Sequence, residues 1–266
     1  MNNIVDFPFL FFALSFIALL LSAFVGSFTR KKLGSLDADA RQDFGVIQGA
    51  ALTLLGLLIG FTFSMAMTRY EQRKNYEEAE ANAIGTEYVR VDLLPALDAT
   101  RVHDLLRNYV DQRVLFYSTR DAQRLQKINA DTAQVQNELW STVQARAVAQ
   151  PTILTSLVAS GMNDVLNSEG YTQAAWWNRI PLESWALLAG IAIGCNLLIG
   201  YGAHRSSPLF MILPLAVSLS FFLIADIDSP RGGVIRVQPQ NLLRLSQSLL
   251  AHSAEGNSGG KFPIAQ

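Results

Sequence analysis

Cysteine, histidine and charge are all scarce in this chain, and each scarcity closes off a class of function. The single cysteine, Cys195, sits inside an apolar run, which excludes an intrachain disulfide and a cysteine-based metal cluster. The three histidines, His103, His204 and His252, are far apart and show no HExxH or His-x3-His spacing, which argues against a zinc site. Charged residues make up only 16% of the 266 positions, where a soluble domain carries about 25%. The net charge of −1 leaves no basic surplus, so nucleic acid is not an expected partner. A GxSxG elbow, a P-loop, a Rossmann fingerprint and a histidine beside a nucleophile are missing too. With no catalytic constellation, no metal and no cofactor site in view, the expectation is transport or signalling rather than an enzyme.

What the chain has instead is apolar length: 50% of its residues are hydrophobic, and the charge deficit falls in four windows. A bilayer core about 30 Å thick needs about 20 helical residues, and each window supplies close to that. The first runs from Pro8 to Phe28 without a charge. A signal peptide is the alternative, but Met1 to Phe7 lacks Lys and Arg, and Arg30-Lys31-Lys32 follows the run like a stop-transfer anchor. The second, Val46 to Met67, carries Gly49, Gly56 and Gly60, which would let helices approach closely. The third, Leu182 to Ala203, starts after Pro181 and is flanked by Trp176, Trp177 and Trp185, as an interfacial aromatic belt would be. The fourth, Pro208 to Ala225, contains Pro214 as an expected kink, and Ala203 to Ser207 joins the last two as a tight hairpin. All four must be helices, because a strand edge cannot be satisfied in lipid. Arg30, Lys31, Lys32, Arg41 and Arg205 place both short loops in the cytoplasm and the middle of the chain outside, although Arg69, Arg73, Lys74, Arg231 and Arg236 lie near the other face.

Nothing stops the second helix at the membrane surface. Thr68 to Leu94 contains no proline until Pro95 and only Gly85 as a weak position, so one helix is expected from near Val46 to Leu94. Further helices are expected over Ala99 to Ser118, over Asp121 to Ala149 with Leu125, Ile128, Val135, Leu139 and Val143 on one side, and from Pro151 onward. The last has an apolar stripe of Ile153, Leu154, Leu157, Val158, Met162, Val165 and Leu166. After the fourth window comes the turn-rich Asp226-Ile227-Asp228-Ser229-Pro230-Arg231-Gly232-Gly233, an extended Val234 to Val237, and a short amphipathic helix opened by Pro239 with Leu242, Leu245 and Leu249. Ser253 onward reads as a disordered tail.

The fold expectation is therefore all-α: a polytopic, multi-pass membrane protein. It has four transmembrane helices, an inserted helical-bundle domain and a short C-terminal helix. In segments this gives a first transmembrane pair over 1–67 and an extramembrane helical domain over 68–180. A second pair follows over 181–226, and acidic turn, helix and tail occupy 227–266.

Candidate functional residues follow from spacing. Thr53, Leu57 and Phe61 recur at i, i+4 and i+8 on one face of the second helix. Set around an axis by several subunits, that face would form a mostly apolar throat able to gate by dewetting; ordinary helix packing explains the same spacing. Arg69 stands where the helix leaves the bilayer, either snorkelling to lipid phosphates or drawing anions to a pore mouth. Glu80 and Glu87 face alike on the following turns: a solvated face, or a cation site or intersubunit seam. Asp226 and Asp228 could contribute to a cation site but are too few alone for Ca²⁺, and capping the turn while pairing with an arginine serves equally. Asn196 is read as an interhelical hydrogen-bond group.

The stretch Leu57-Leu58-Ile59-Gly60-Phe61-Thr62-Phe63-Ser64-Met65-Ala66-Met67-Thr68-Arg69-Tyr70, with Glu80-Ala81-Asn82-Ala83-Ile84-Gly85-Thr86, resembles the bestrophin-like family of bacterial membrane proteins. The turn at Asp226 to Gly232 matches that family's acidic turn after its last span. More distantly, Gly60-Phe61 followed by Arg69 and Tyr70 is similar to the pore helix of bestrophin channels, which are pentameric anion channels with an apolar neck. The resemblance implies a homo-oligomer, a pentamer if the likeness is complete, passing chloride-like anions across the lipid bilayer with Thr53, Leu57 and Phe61 at the neck. Thr53 replaces the usual bulky apolar residue. The long acidic calcium clasp is missing, so calcium gating is not implied. Bestrophins keep their large domain in the cytosol, opposite to the side that the loop charges indicate. A non-conducting membrane sensor or scaffold, whose helical domain binds a partner, is the rival expectation.

Overall fold

The computed structural model describes residues 4–33, 37–202 and 209–258 and places most of them in helices, with no strand among them. In chain order these are α1 (Pro8–Leu33), α2 (Ala38–Arg90), α3 (Ala96–Ser118), α4 (Ala122–Ala149), α5 (Ile153–Trp177), α6 (Leu182–Gly202), α7 (Leu209–Asp228) and α8 (Gln240–Ser258). Single 3-10 turns cover Ile4–Asp6 and Val91–Leu93. Among the described residues, four segments are long and apolar enough to cross a bilayer: Pro8–Lys32, Asp39–Leu93, Ile153–Gly202 and Phe210–Asp228. The hairpin loop expected over Ala203 to Ser207 lies outside the described residues.

Helix ends differ from the sequence reading where capping decides them. α1 continues past Phe28 to Leu33, carrying Arg30, Lys31 and Lys32 in its last turn, where cations complement the helix dipole. α2 begins at Ala38 rather than Val46, because Asp37 Oδ1 accepts the Ala40 amide at 2.8 Å and supplies the N-cap. It then runs 53 residues without interruption, ending in the 3-10 turn before Pro95. α8 extends to Ser258, past the Ser253 boundary of the expected tail; residues 259–266 lie outside the described ones.

The chain forms two compact units. The first comprises Met1–Tyr70 and Asn178–Arg236, the second Glu71–Trp177 and Val237–Gln266, so α8 belongs with the helical unit and not to a separate end segment.

In the first unit α1 packs on α6 and α7, around Leu19, Leu188, Ala192, Val217 and Phe221. α1 and α6 touch backbone to backbone. A Cβ at Gly200 would lie 1.9 Å from the Ala23 carbonyl oxygen, and one at Gly26 would lie 2.1 Å from that of Leu197. Ser22 Oγ adds a bond across the same crossing, donating to the Ile193 carbonyl at 2.7 Å. Small residues thus make a close contact here; at Gly49, Gly56 and Gly60 an added Cβ would meet nothing of its own chain within 4 Å. Asn196 is fully buried but turns its amide to its own helix, donating to Ala192 O at 2.8 Å, which corrects its reading as an interhelical group. Trp185 is buried against Phe11 and Phe221, whereas an interfacial tryptophan would stand at the surface.

In the second unit α3 packs on α4, α4 on α5, and α8 on α3. Ile128, Val135, Leu139 and Val143 form the buried side of α4, as their spacing predicts. Val158, Met162 and Val165 do the same for α5, while Ile153, Leu154 and Leu157 of the same stripe remain exposed. Trp176 is core here, tilted against Phe116 and edge-on to Tyr117, and of the three tryptophans read as a belt only Trp177 is exposed.

Candidate functional site

The apolar part of α2 is amphipathic in a sense the composition hides: one side is packed and the other bare. Leu55, Thr62 and Ala66 recur at i, i+7 and i+11 and are buried in the first unit. Thr53, Leu57 and Phe61 lie on the opposite side and are exposed, Leu57 by 53% and Phe61 by 63%. The Thr53 hydroxyl donates to the Gly49 carbonyl at 2.9 Å, so the helix satisfies it and the methyl group faces outward. Gly49, Gly56 and Gly60 border the same bare face.

Arg69 is not free to act as an isolated cation. Its Nη1 stands 3.6 Å from Asp228 Oδ1, with the Asp228 side chain 1% exposed. Asp228 also accepts the Ile180 amide at 3.1 Å and faces Arg179 Nε at 3.4 Å, and Arg179 pairs in turn with Asp6. Asp226 is equally occupied: its two carboxylate oxygens accept the amides of Val234 and Ile235, each at 2.8 Å. The following glycines allow this tight return. A Cβ at Gly232 would fall 2.0 Å from the Asp6 carbonyl oxygen, and one at Gly233 would fall 2.5 Å from that of Asp226. Asp226 therefore serves the turn, and Asp228 serves Arg69, Arg179 and the Ile180 amide. Their oxygens are engaged by protein donors, and no cluster of three or more His, Cys, Asp or Glu fit to hold a metal occurs among the described residues.

Glu80 and Glu87, expected at a pore mouth or subunit seam, are both 0% exposed within the second unit. Glu80 is the centre of a polar network. It pairs with the buried Arg113 and accepts the Tyr117 hydroxyl at 3.2 Å and the Thr172 hydroxyl at 3.1 Å. Arg113 also reaches Glu169 at 3.5 Å and lies 4.4 Å from the centre of the Phe116 ring. Burial alone would lower the Arg113 pKa, but Glu80 and its neighbours outweigh that and hold the guanidinium charged. Burial, reinforced by the Glu80 charge, pushes the Tyr109 and Tyr117 phenols up, so both stay neutral; the Tyr109 hydroxyl accepts from the Gln136 side-chain amide at 3.3 Å. Glu87 makes no such contacts: neither carboxylate oxygen has a hydrogen-bond partner.

Glu77 looks on sequence like one more member of a charged run, yet it caps α8. Its carboxylate accepts the amides of Asn241 and Leu242, at 2.9 and 3.0 Å, and the Asn241 side chain at 2.7 Å. The sequence signal lies in Pro239-Gln240-Asn241, a helix start with no acidic side chain of its own in the first turn. Arg113 and Arg179, the cations that answer the acids, carry no local motif.

These features can be set beside known proteins. A bestrophin-like domain is recognised over residues 16–242. No curated protein matches the chain. Among solved structures, a point variant of a bacterial bestrophin homologue from Klebsiella pneumoniae superposes with a TM-score of 0.63 at 14% identity, covering 92% of this chain and 98% of that one. The same homologue solved by zinc phasing gives 0.62 at 14% identity, covering 92% and 97%. A crystallised membrane protein variant gives 0.64 at 15% identity, covering 95% and 98%. At such identities the likeness is one of fold. It extends over nearly the whole of both chains, and together with the domain match over most of the sequence it shows that this chain belongs to the bestrophin-like family.

Proposed function

We propose that the protein is a homo-oligomeric ion channel of a bacterial inner membrane, in which α2 of each copy faces a common pore. Thr53, Leu57 and Phe61 line its narrow part. The observation that carries this reading is how little of α2 its own chain covers. Only 6% of its apolar window is buried, against 22% for α1 and 50% for α7. A bare face of glycine, threonine and two large apolar residues suits close approach of copies and a constriction that excludes water until it widens. The family likeness supports the same arrangement and, through the resemblance to bestrophin channels, a five-fold ring and chloride-like anions. Arg69 does not strengthen the anion assignment, because Asp228 offsets its charge.

Native mass measurement of the detergent-extracted protein, with flux of several anions and cations from loaded liposomes, tests the reading. A ring of five or more copies that passes halide ions is the expected result. A monomer or lateral dimer with no flux of any ion would contradict it and favour a membrane sensor or scaffold.

A further inference from the structure

Glu87 is a buried acid of the second unit whose oxygens no donor answers. Glu77 is used as a cap and Glu80 is held by Arg113, Tyr117 and Thr172, whereas both Glu87 oxygens are shut from solvent without a hydrogen-bond partner. Leaving a charged carboxylate in that state is costly, and the usual escape is to keep the proton. The niche exists because position 161 has no side chain: a Cβ at Gly161 would stand 1.9 Å from Glu87 Oε2 and 2.6 Å from Arg90 Nη1. The carboxyl group is thus wedged against the backbone of α5. The charged groups that reach it are Arg90, one turn along its own helix, and Asp164 on α5.

We propose that Glu87 is a proton-binding site in the seam between α2 and α5, where the neutral acid fits the buried niche against Gly161 and loss of the proton to solvent loosens the seam. The titration falls in a physiological range. Burial lifts the carboxyl pKa from 4.5 to about 8, with Arg90 pulling it down and Asp164 pushing it up. The folded pKa is above the unfolded one. The burial penalty is therefore absent below about pH 4.5, grows as pH rises because the unfolded chain ionises first, and is complete above about pH 8. Because α2 also carries the proposed pore face, protonation at Glu87 bears on the helix that would gate. That coupling rests on the channel reading; the proton site does not.

The test compares the full-length protein with Glu87→Gln, which is shaped like the neutral acid and cannot ionise. Thermal unfolding from about pH 4 to pH 9 is expected to show nearly equal Tm values at the acid end and a Tm higher in Glu87→Gln by at least about 3 °C at the alkaline end. Infrared difference spectra of the folded protein are expected to show a protonated carboxyl band that vanishes near pH 8 and is missing in the variant. Parallel Tm profiles, or a carboxyl band unchanged by the substitution, would overturn the proposal. Should Glu87→Gln fail to fold, Asp164→Asn serves: it removes a like charge and is expected to move the infrared midpoint to lower pH, while an unmoved midpoint counts against the site. Halide flux from liposomes separates the two readings. Flux whose pH dependence disappears in Glu87→Gln supports the coupling, and flux with the same pH dependence in both refutes it. No flux at any pH refutes the channel, and the thermal and infrared results still decide the proton site.

Discussion

Arg69 and Asp228 hold the end of the apolar run of α2 to the last residue of α7, with Nη1 of the arginine 3.6 Å from Oδ1 of the aspartate. Asp228 receives Arg179 and the Ile180 amide as well, so one carboxylate with 1% of its side chain exposed serves two cations and a backbone donor. Replacing it with alanine strands buried charge, a change that costs about 3–5 kcal/mol. Asp228→Ala is expected to yield poorly folded protein with a much lower Tm in detergent. Asp228→Asn keeps an acceptor for the Ile180 amide and should fall between the two.

The same pairing carries a functional consequence for Arg69. If its charge is already offset, Arg69→Gln should lower stability modestly and leave the anion-to-cation permeability ratio of reconstituted protein within about two-fold of the parent. A shift of the reversal potential towards cations by more than that would show that Arg69 acts on the permeating ion.

Glu77 ties α8 to α2 by capping, and the size of that contribution can be measured. Glu77→Ala leaves the Asn241 and Leu242 amides without their acceptor and is expected to cost about 1–2 kcal/mol. Hydrogen exchange should accelerate in the first turn of α8 before it changes elsewhere. Uniform acceleration over the whole second unit would mean that the cap is not a local fastening.

The glycines divide into two groups with opposite predictions. Gly200→Ala places a Cβ 1.9 Å from the Ala23 carbonyl oxygen, backbone that cannot step aside, and should disrupt the α1–α6 crossing. A Cβ at Gly56 would meet nothing within 4 Å of its own chain, so Gly56→Leu should leave each copy able to fold. It should nevertheless weaken or abolish the oligomer if copies approach along that face, as read by native mass measurement.

How much of this is legible in the sequence depends on whether the signal is local. The apolar windows and the unbroken run of α2 follow from local composition, and the packed side of α4 from periodicity, because the residues that decide them are neighbours on one helix. The acids are not legible. Glu77, Glu80 and Glu87 read as a solvated charge run, since exposed runs are the common case, and their burial depends on Asn241, Arg113 and Gly161, all distant in the chain. Trp176 and Trp185 mislead for a related reason: a tryptophan beside an apolar window suits an interface or a core equally, and only the ring partners decide. Asn196 is read as bonding to another helix but its amide donates within its own. The Thr53, Leu57 and Phe61 face is visible as a spacing, while its bareness needs the packing of the opposite side.

Sidedness is open to a direct assay. The channel reading proposed above would have the helical domain in the cytosol, whereas the charges of the short loops point to the other side. Ser141 is exposed on α4, and Ser141→Cys in a Cys195→Ser background gives one accessible thiol. Labelling by a membrane-impermeant reagent is expected only after cells are opened; labelling of intact cells or spheroplasts would place the domain outside.

The central claim is that ions pass along the bare face of α2, and cysteine block at Leu57 tests it most directly. In protein carrying Leu57→Cys and Cys195→Ser, halide flux from liposomes is measured before and after a charged, thiol-specific reagent. A flux that falls at least about ten-fold on modification, while the Cys195→Ser parent is unaffected, is the predicted result. An undiminished flux through a fully modified protein would contradict it.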